Sequence, residues 1–301
     1  MTQRANLGGV TVGEGHPVVL VGALNVSPES FYAGSVHRDP DDLLRVAAGM
    51  VRAGAAILDI GAMSTAPYLA ARISEAEEAD RLGSAVHLVS TKLDVPISAD
   101  TTRSGPARSA LEAGATIVNY VSGLTADPAM AQLVAGRGAG LVVAAGERGG
   151  DEAGPPMEVV RRLLAESLRI AGGAGVPAER IVVDPGIGFF RRRGIPWYEW
   201  DLALLAGLRA LGDLGPICVG VSRKSFIGAL LGQDDPRDRL PGSLAAVALA
   251  VVNGAHLIRT HDVAETSQAV RVAQAFRDIQ RCPGSSAPMA SGAWPTSPRS
   301  L

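Results

Sequence analysis

Eight short apolar segments recur along the chain, and each is followed by a stretch with helical character. Each segment is four to nine residues long and rich in Val, Ile, Leu and Ala, as is typical of parallel strands buried on both faces. The predicted strands cover residues 18–26, 56–61, 95–99, 115–121, 140–145, 180–183, 217–221 and 256–260. Eight strand–helix units over roughly 250 residues predict an α/β fold, a single (β/α)8 or TIM barrel. A doubly wound sheet is the alternative, but it rarely contains eight such even units.

Residues that favour helix ends separate the strands. Asp39 followed by Pro40 predicts a helix start, because proline suits the first helical turn. Ser74 and the glutamates after it have the spacing of a capping box. The predicted helices cover 39–53, 74–91, 104–113, 127–137, 157–174, 202–211, 225–231, 242–253 and 264–281, with a short lead-in near 10–12 and a loop at 190–200.

The pattern shows no domain boundary before residue 283. Residues 1–282 are therefore expected to form one barrel domain. Residues 283–301 are rich in Pro, Ser, Ala and Gly, and such a composition buries too little apolar surface to order itself. This segment is expected to be a flexible, disordered tail.

Composition and charge narrow the function classes. The chain is 47% hydrophobic and 19% charged, with a net charge of −2, which argues against a general binder of nucleic acid or membrane surfaces. Cys218 and Cys282 lack metal-ligand spacing and are too few for a disulfide scaffold. The first residues lack the apolar core of a signal peptide, and no apolar run is long enough to span a bilayer. We expect a cytoplasmic protein.

Polar residues stand where the predicted strands end. In a parallel barrel these ends converge on one face, where active sites are built. Singly, each residue could cap a turn or a helix or be a satisfied buried group, but together they predict a shared pocket. They are Asn25, Ser64, Thr65, Asp100, Asn119, Asp184, Ser222, Lys224, Arg259 and His261.

One half of this set suits a flat, donor-rich heterocycle. Asp100, Asn119 and Asp184 offer carboxylate and amide groups that can pair with ring N–H donors. Lys224 supplies a point charge for a ring carbonyl or nitrogen. Ser225 follows it and is predicted to cap the next helix, whose N-terminal amides favour an anion.

The other half suits a phosphate or diphosphate. Arg259 and His261, with Thr65, can donate hydrogen bonds to phosphate oxygens. Asn25 is a hard oxygen donor that could hold Mg²⁺ on a diphosphate. The pocket therefore indicates a substrate that carries both a donor-rich ring and a diphosphate.

Five motifs that carry these residues resemble dihydropteroate synthase. The resemblance covers about residues 18–281 in the family's order, through the motifs at 24–31, 59–65, 184–189, 222–226 and 259–262. It implies a (β/α)8 barrel that is usually dimeric. It also implies an enzyme that joins 6-hydroxymethyl-7,8-dihydropterin diphosphate to an arylamine, releasing diphosphate with the help of Mg²⁺.

The resemblance also implies roles for individual residues. The pterin would be held by Asp100, Asn119, Asp184 and Lys224, and Mg²⁺-diphosphate by Asn25, Thr65, Arg259 and His261. Asp100, Asp184, Lys224, Arg259 and His261 would carry the catalysis, through positioning and stabilisation of the leaving group. The arylamine would lie near Thr65, Pro67, Phe189, Arg191, Arg192, Arg193 and Ser225.

Four departures from the family pattern concentrate at the arylamine end. Ala66 replaces an arginine, Tyr120 replaces an aspartate, and residues 144–147 lack the usual histidine. The usual Gly-Phe-Gly-Lys is replaced by 188–193, with three arginines, and an aromatic segment at 197–200 follows. These changes predict a different acceptor. Residues 25–32 and 61–68 resemble the branch of the family in methanopterin biosynthesis, which implies 4-(β-D-ribofuranosyl)aminobenzene 5′-phosphate as the acceptor. The phosphate of that acceptor would suit the arginines.

Three alternatives stay open. The first is a dihydropteroate synthase that uses 4-aminobenzoate in folate biosynthesis, with the arginines in a solvated loop. The second is a pterin-binding domain of a methyltransferase, which would need the pterin residues but no diphosphate site. The third is a non-catalytic pterin-binding paralogue. Arg259 and His261 argue against the methyltransferase.

Overall fold

The computed structural model describes residues 3–27, 39–63, 73–125, 127–147, 154–191 and 195–281. The strands in these residues are β1 (Arg4–Leu7), β2 (Val10–Gly13), β3 (Val19–Asn25), β4 (Ala55–Gly61), β5 (Ile97–Asp100), β6 (Ile117–Tyr120), β7 (Gly140–Ala144), β8 (Ile181–Asp184), β9 (Cys218–Gly220) and β10 (Leu257–Thr260). The α-helices are α1 (Pro40–Arg52), α2 (Glu75–Lys92), α3 (Ser104–Glu112), α4 (Pro128–Arg137), α5 (Pro156–Gly173), α6 (Trp197–Ala206), α7 (Ser225–Leu231), α8 (Leu240–Val252) and α9 (Val263–Arg281).

The eight strands from β3 to β10 form one parallel sheet. Their spatial order is β8-β7-β6-β5-β4-β3-β10-β9. A parallel bridge between Val183 and Ile217 joins the two outer strands and closes the sheet. Because each strand is followed by a helix that covers the outside, the predicted (β/α)8 barrel is confirmed.

Polar caps begin several of the outer helices where the sequence predicts them. The Asp39 side chain accepts hydrogen bonds from the amides of Asp41 and Asp42, at 3.0 and 3.1 Å. The Ser74 hydroxyl accepts one from the Glu77 amide at 3.1 Å. These bonds satisfy amides of the first turn that have no partner within the helix.

The first two strands form an antiparallel hairpin that the sequence analysis reduced to a lead-in near residues 10–12. Leu7 pairs with Val10 across a two-residue turn of Gly8 and Gly9, with φ of 58° and 97°. Positive φ at both central residues matches the twist of a tight hairpin and favours glycine. Ala5, Leu7 and Val12 belong to one buried cluster with inward-facing strand residues such as Val21 and Ile57. The hairpin therefore plugs the amino-terminal end of the barrel.

The segment after β8 departs from prediction. The sequence predicted a loop at 190–200 and a helix from 202, whereas α6 begins at Trp197, directly after Pro196. Trp200 is buried and stacks on Phe190, with ring centroids 5.0 Å apart. Burial of this aromatic pair favours a helical conformation for residues 197–200, so the predicted loop was wrong for these residues.

The end of the chain gives no test of the predicted tail. Helix α9 runs to Arg281, and residues 283–301 lie outside the described residues. Along the described part of the chain, none of the helices combines the length and the apolar character that crossing a bilayer requires.

Candidate active site

A charged cluster lies towards the carboxyl ends of β4, β5, β6 and β10. The Arg259 Nε donates to Asp59 Oδ2 at 2.6 Å, and its Nη2 donates to Asp100 Oδ2 at 2.8 Å. The Asn119 Nδ2 donates to the same Asp59 oxygen at 3.0 Å. The register accounts for this, because Asp100 pairs with Asn119 on one side and with Gly61, two residues after Asp59, on the other. The structure thus brings together the predicted residues Asp100, Asn119 and Arg259.

Asp59 and Asp100 each keep an oxygen for a ligand. Neither Asp59 Oδ1 nor Asp100 Oδ1 has a hydrogen-bond partner within the described ranges, although both atoms are buried. Burial raises the pKa of Asp100 to about 7, Arg259 opposes the rise, and Asp59 and Glu78 add to it. Buried acceptors without partners are costly, so N–H donors of a ligand would be favoured here.

Asp184 and Lys224 both hold the backbone of the loop after β8. Asp184 Oδ1 accepts a hydrogen bond from the Gly186 amide at 2.7 Å, and the Lys224 ammonium donates to the Ile187 carbonyl. The Lys224 Nζ also lies 4.9 Å from the centre of the Phe189 ring. Burial raises the pKa of Asp184 and lowers that of Lys224, while each charge favours the other. These predicted residues therefore form a second polar face.

Gly186 explains why this loop can lie so close to β7. Its φ is 74°, and a Cβ atom there would lie 1.8 Å from the carbonyl oxygen of Ala145. A side chain at this position would displace backbone, so only glycine fits.

His261 is held as a neutral ring. Its Nδ1 lies 3.0 Å from the hydroxyl of Ser222, which also accepts a hydrogen bond from the His261 amide at 3.3 Å. Burial, together with the positive charges of Arg259, Arg223 and Lys224, lowers the pKa of His261 to about 3. At neutral pH this residue therefore contributes a hydrogen bond and no positive charge.

Arg223 fixes the turn that presents Ser222 and Lys224. It has a φ of 54°, a left-handed conformation that is uncommon outside glycine. Its guanidinium makes two hydrogen bonds to Asp262, at 2.9 and 2.7 Å, and two more to the carbonyls of Pro236 and Arg237. The surrounding bonds thus compensate for the backbone strain.

Arg191 lies against the first turn of α7. Its Nη2 donates to the Ser225 hydroxyl at 2.6 Å, and its guanidinium carbon lies 4.1 Å from the centre of the Trp197 ring. The Arg191 amide donates to Glu147 Oε2 at 3.1 Å. Ser225 was predicted to cap α7, but that prediction was wrong, because Lys224 holds the N-cap position and no side chain caps the helix. The Ser225 hydroxyl is instead part of a contact with Arg191.

Some of the predicted site cannot be located. Thr65, Pro67, Arg192 and Arg193 lie outside the described residues, as do Ser64 and Ala66. The predicted arylamine residues that the structure describes are Phe189, Arg191 and Ser225.

The residues around Asn25 fit a hard cation. A Cβ built at Gly61 would lie 3.5 Å from both Asn25 Oδ1 and Asp100 Oδ2, so these oxygens flank the same backbone position. In the part of the chain that the structure describes, no group of three His, Cys, Asp or Glu side chains could hold a metal by itself. Mg²⁺ commonly takes one or two protein oxygens and completes its shell with water and substrate phosphates, and Asn25 suits that arrangement.

Two residues of the site were missed from the sequence. Asp59 joins Arg259 and Asn119, and Asp201 on α6 accepts a hydrogen bond from the Gly188 amide at 2.7 Å. A carboxylate inside the apolar run 56–61 was a signal for Asp59, since buried charges are paired. The sequence offered no comparable signal for Asp201.

Known proteins resemble this chain in sequence and in fold. Residues 21–261 match the family described as pterin binding enzyme. Dihydropteroate synthase of Synechocystis sp. is 37% identical over 270 residues, 87% of this chain and 91% of that protein. The Mycobacterium leprae enzyme of the same name is 39% identical over 274 residues, 86% of this chain and 94% of that one.

A solved structure extends the likeness to the fold. Dihydropteroate synthase of Xanthomonas albilineans, determined with 4-aminobenzoic acid, superimposes with a TM-score of 0.80 at 32% identity, covering 92% of this chain and 99% of that one. With the barrel, the converging strand ends and these matches together, the chain belongs to the dihydropteroate synthase family of pterin-binding enzymes.

Proposed function

We propose that the chain is a dihydropteroate synthase that joins 6-hydroxymethyl-7,8-dihydropterin diphosphate to 4-aminobenzoate. The observation that carries this choice of acceptor is the Arg191–Ser225 pair, one arginine fixed by a hydroxyl and by the Trp197 ring. A guanidinium fork and a hydroxyl suit a single carboxylate. The relatives compared above are dihydropteroate synthases, and one of them was solved with 4-aminobenzoic acid, which supports the same acceptor.

The ribosyl phosphate acceptor predicted from the sequence is the weaker candidate. That prediction depended on three arginines acting together on a phosphate. Arg191 already contacts Ser225 and Trp197, whereas Arg192 and Arg193 lie outside the described residues. The named relatives also favour the folate-type acceptor.

The pterin ring would lie between the two polar faces of the site. Asp100 and Asp184 would accept hydrogen bonds from ring N–H groups, which is how carboxylates recognise a donor-rich heterocycle. The Asn119 amide nitrogen donates to Asp59, so its oxygen is left to accept from the ring. Lys224 would donate to a ring oxygen or nitrogen.

The reaction would break the bond between the methylene carbon and the diphosphate oxygen, and the electron pair would leave with diphosphate. The amine nitrogen would then form the new bond to carbon and release its proton to diphosphate or water. Arg259 and neutral His261 would stabilise the departing charge by hydrogen bonds. Asn25 would hold Mg²⁺, which when bound neutralises charge on the diphosphate.

The proposed enzyme is a homodimer. Helix α9 exposes Phe276 and Ile279, which are 55% and 73% accessible, one turn apart. Apolar residues at this spacing suit a helix face covered by another protein surface, and a homodimer would cover it. Analytical ultracentrifugation of wild-type protein and Phe276→Asp tests this. The dimer should be lost in the variant, and a monomeric wild type would contradict it.

The acceptor is tested by measuring diphosphate release with pterin diphosphate and each arylamine in turn. We expect turnover with 4-aminobenzoate and at least about tenfold lower kcat/KM with the ribosyl phosphate acceptor. The reverse preference would restore the methanopterin-type function. Pterin binding without diphosphate release from either acceptor would indicate a carrier or methyltransferase domain.

A further inference from the structure

Asp201 is a buried carboxylate for which the proposed reaction has no role. Its side chain on α6 is fully buried, and Oδ1 accepts a hydrogen bond from the Gly188 amide at 2.7 Å. The other oxygen, Oδ2, is buried and has no hydrogen-bond partner among the residues that the structure describes. A buried carboxylate that uses one of its oxygens needs a compensating charge nearby.

The compensating charges lie in the pterin site. Burial, the largest influence, raises the pKa of Asp201 to about 6 against the opposing effects of the Gly188 amide, Lys224 and Arg191. Reciprocally, Asp184 and Asp201 are the carboxylates that raise the pKa of Lys224 against the effect of burial. The Lys224 ammonium is thus balanced by two carboxylates, Asp184 and Asp201.

The same loop connects Asp201 mechanically to Lys224. Asp184 holds the Gly186 amide, Asp201 holds the Gly188 amide, and Lys224 holds the Ile187 carbonyl between them. A Cβ atom on Gly188 would lie 3.1 Å from the Lys224 Cδ and 3.5 Å from its Nζ, so the loop packs directly against this side chain. Loss of the Asp201 contact would loosen one of three points that fix the loop.

We propose that Asp201 is a positioning residue of the pterin site, whose carboxylate fixes the 186–189 loop and balances the charge of Lys224. The pterin part of this inference rests on the proposed function. The link between Asp201 and Lys224 does not, because it concerns the protein without substrate.

The lysine content of the chain allows a direct test. Lys92, exposed at the end of α2, is the only lysine besides Lys224, so ¹³Cε-labelled lysine gives two NMR signals, one of them an internal reference. We expect Lys224 to titrate below the ordinary range of a lysine in wild-type protein. Asp201→Asn should lower the Lys224 midpoint by about 1 pH unit more.

A matched control removes a charge from the same helix. Glu199→Gln lies two residues away on an exposed part of α6 and should leave the Lys224 titration unchanged. Asp201→Asn should also raise the dissociation constant of a pterin by about tenfold, measured by calorimetry, and Glu199→Gln should not. Reduced thermal stability of Asp201→Asn with an unchanged Lys224 titration would show a merely structural role and overturn the proposal.

A reciprocal variant covers the case in which Asp201→Asn does not fold. The coupling of two charges is mutual, so Lys224→Met should raise the titration midpoint of Asp201 above about 6, followed by carboxyl ¹³C NMR. An unchanged midpoint for Asp201 would overturn the proposal. If Lys224 and Asp201 are coupled but neither arylamine is turned over, the proposed function fails and the coupling stands.

Discussion

At the scale of single residues, burial determines what each charged group of the site can do. Asp59 is 1% exposed and its Oδ2 accepts from both Arg259 and Asn119, so it acts as a fixed anchor for two residues of the pocket. The Arg259 side chain is 21% exposed, so part of it still reaches the open side of the site. Pairing therefore orients Arg259 without burying it completely.

Arg191 provides the sharpest residue-scale prediction about the acceptor. Arg191→Gln should raise the KM for 4-aminobenzoate at least about tenfold, because a charge-assisted hydrogen bond is worth about 1.5–3 kcal/mol. The KM for pterin diphosphate should change less than about threefold. Steady-state kinetics decides this, with Arg162→Gln on the exposed face of α5 as the control. Equal changes in both constants would remove Arg191 from the acceptor site.

His261 predicts how stability depends on pH. Its pKa is about 3 in the folded protein and about 6.5 in an unfolded chain, so below pH 6.5 the unfolded state binds the extra proton. The free energy of unfolding should therefore fall with decreasing pH, at up to about 1.4 kcal/mol per pH unit from this residue. Asp100, with its raised pKa, contributes a slope of opposite sign, so the comparison between variants is informative.

The measurement is urea unfolding of wild type and His261→Gln between pH 4 and 7. The stability difference between the two proteins should change with pH as described. His87→Gln, exposed on α2, should behave like wild type. Parallel curves for wild type and His261→Gln would mean that His261 titrates normally in the folded protein.

The pterin residues could be predicted from the sequence because most of them lie at the ends of short buried strands. Asp100, Asn119 and Asp184 are the last or next-to-last residues of β5, β6 and β8, where a parallel barrel must place its site. Asp201 could not be predicted from the sequence, because it lies inside a helix and contacts Gly188 only through tertiary packing. The sequence shows which strand ends carry polar groups, but not which helical residue packs against them.

At the scale of elements, the hairpin of β1 and β2 closes one end of the barrel and leaves the other to the site. The sequence analysis reduced it to a lead-in near residues 10–12, because each strand has only four residues, too few for a clear alternating pattern. The start of α6 was missed for a related reason. A proline followed by aromatic residues favours a loop by local pattern, and only the packing of Trp200 on Phe190 makes this segment helical. Short elements thus depend on packing more than on local pattern.

Leu7 tests whether the hairpin is part of the core. Leu7→Ala should reduce the free energy of unfolding by about 2–5 kcal/mol, because it leaves a cavity among fully buried side chains. Val10→Ala, at a partly buried position of the same hairpin, should cost clearly less. Urea unfolding followed by circular dichroism measures both. Equal small losses would mean that the hairpin rests on the barrel without stabilising it.

At the scale of the whole molecule, the closed parallel sheet brings distant parts of the sequence together. Asp59 and Arg259 are separated by 200 residues and form an ion pair because β3 pairs with both β4 and β10. This architecture could be predicted because it depends on a pattern repeated eight times. The acceptor could not, because its determinants lie in loops, and residues 64–72 and 192–194 fall outside the described residues.

The most direct test of the proposed function is the product itself. Purified protein should be incubated with 6-hydroxymethyl-7,8-dihydropterin diphosphate, Mg²⁺ and 4-aminobenzoate, and the products identified by mass spectrometry with diphosphate quantified in parallel. We predict 7,8-dihydropteroate and diphosphate in equal amounts, and at least about a hundredfold less of both with Asp184→Asn, which removes a charged partner of the pterin. Absence of dihydropteroate from the wild-type reaction, with pterin binding intact, would contradict the assignment.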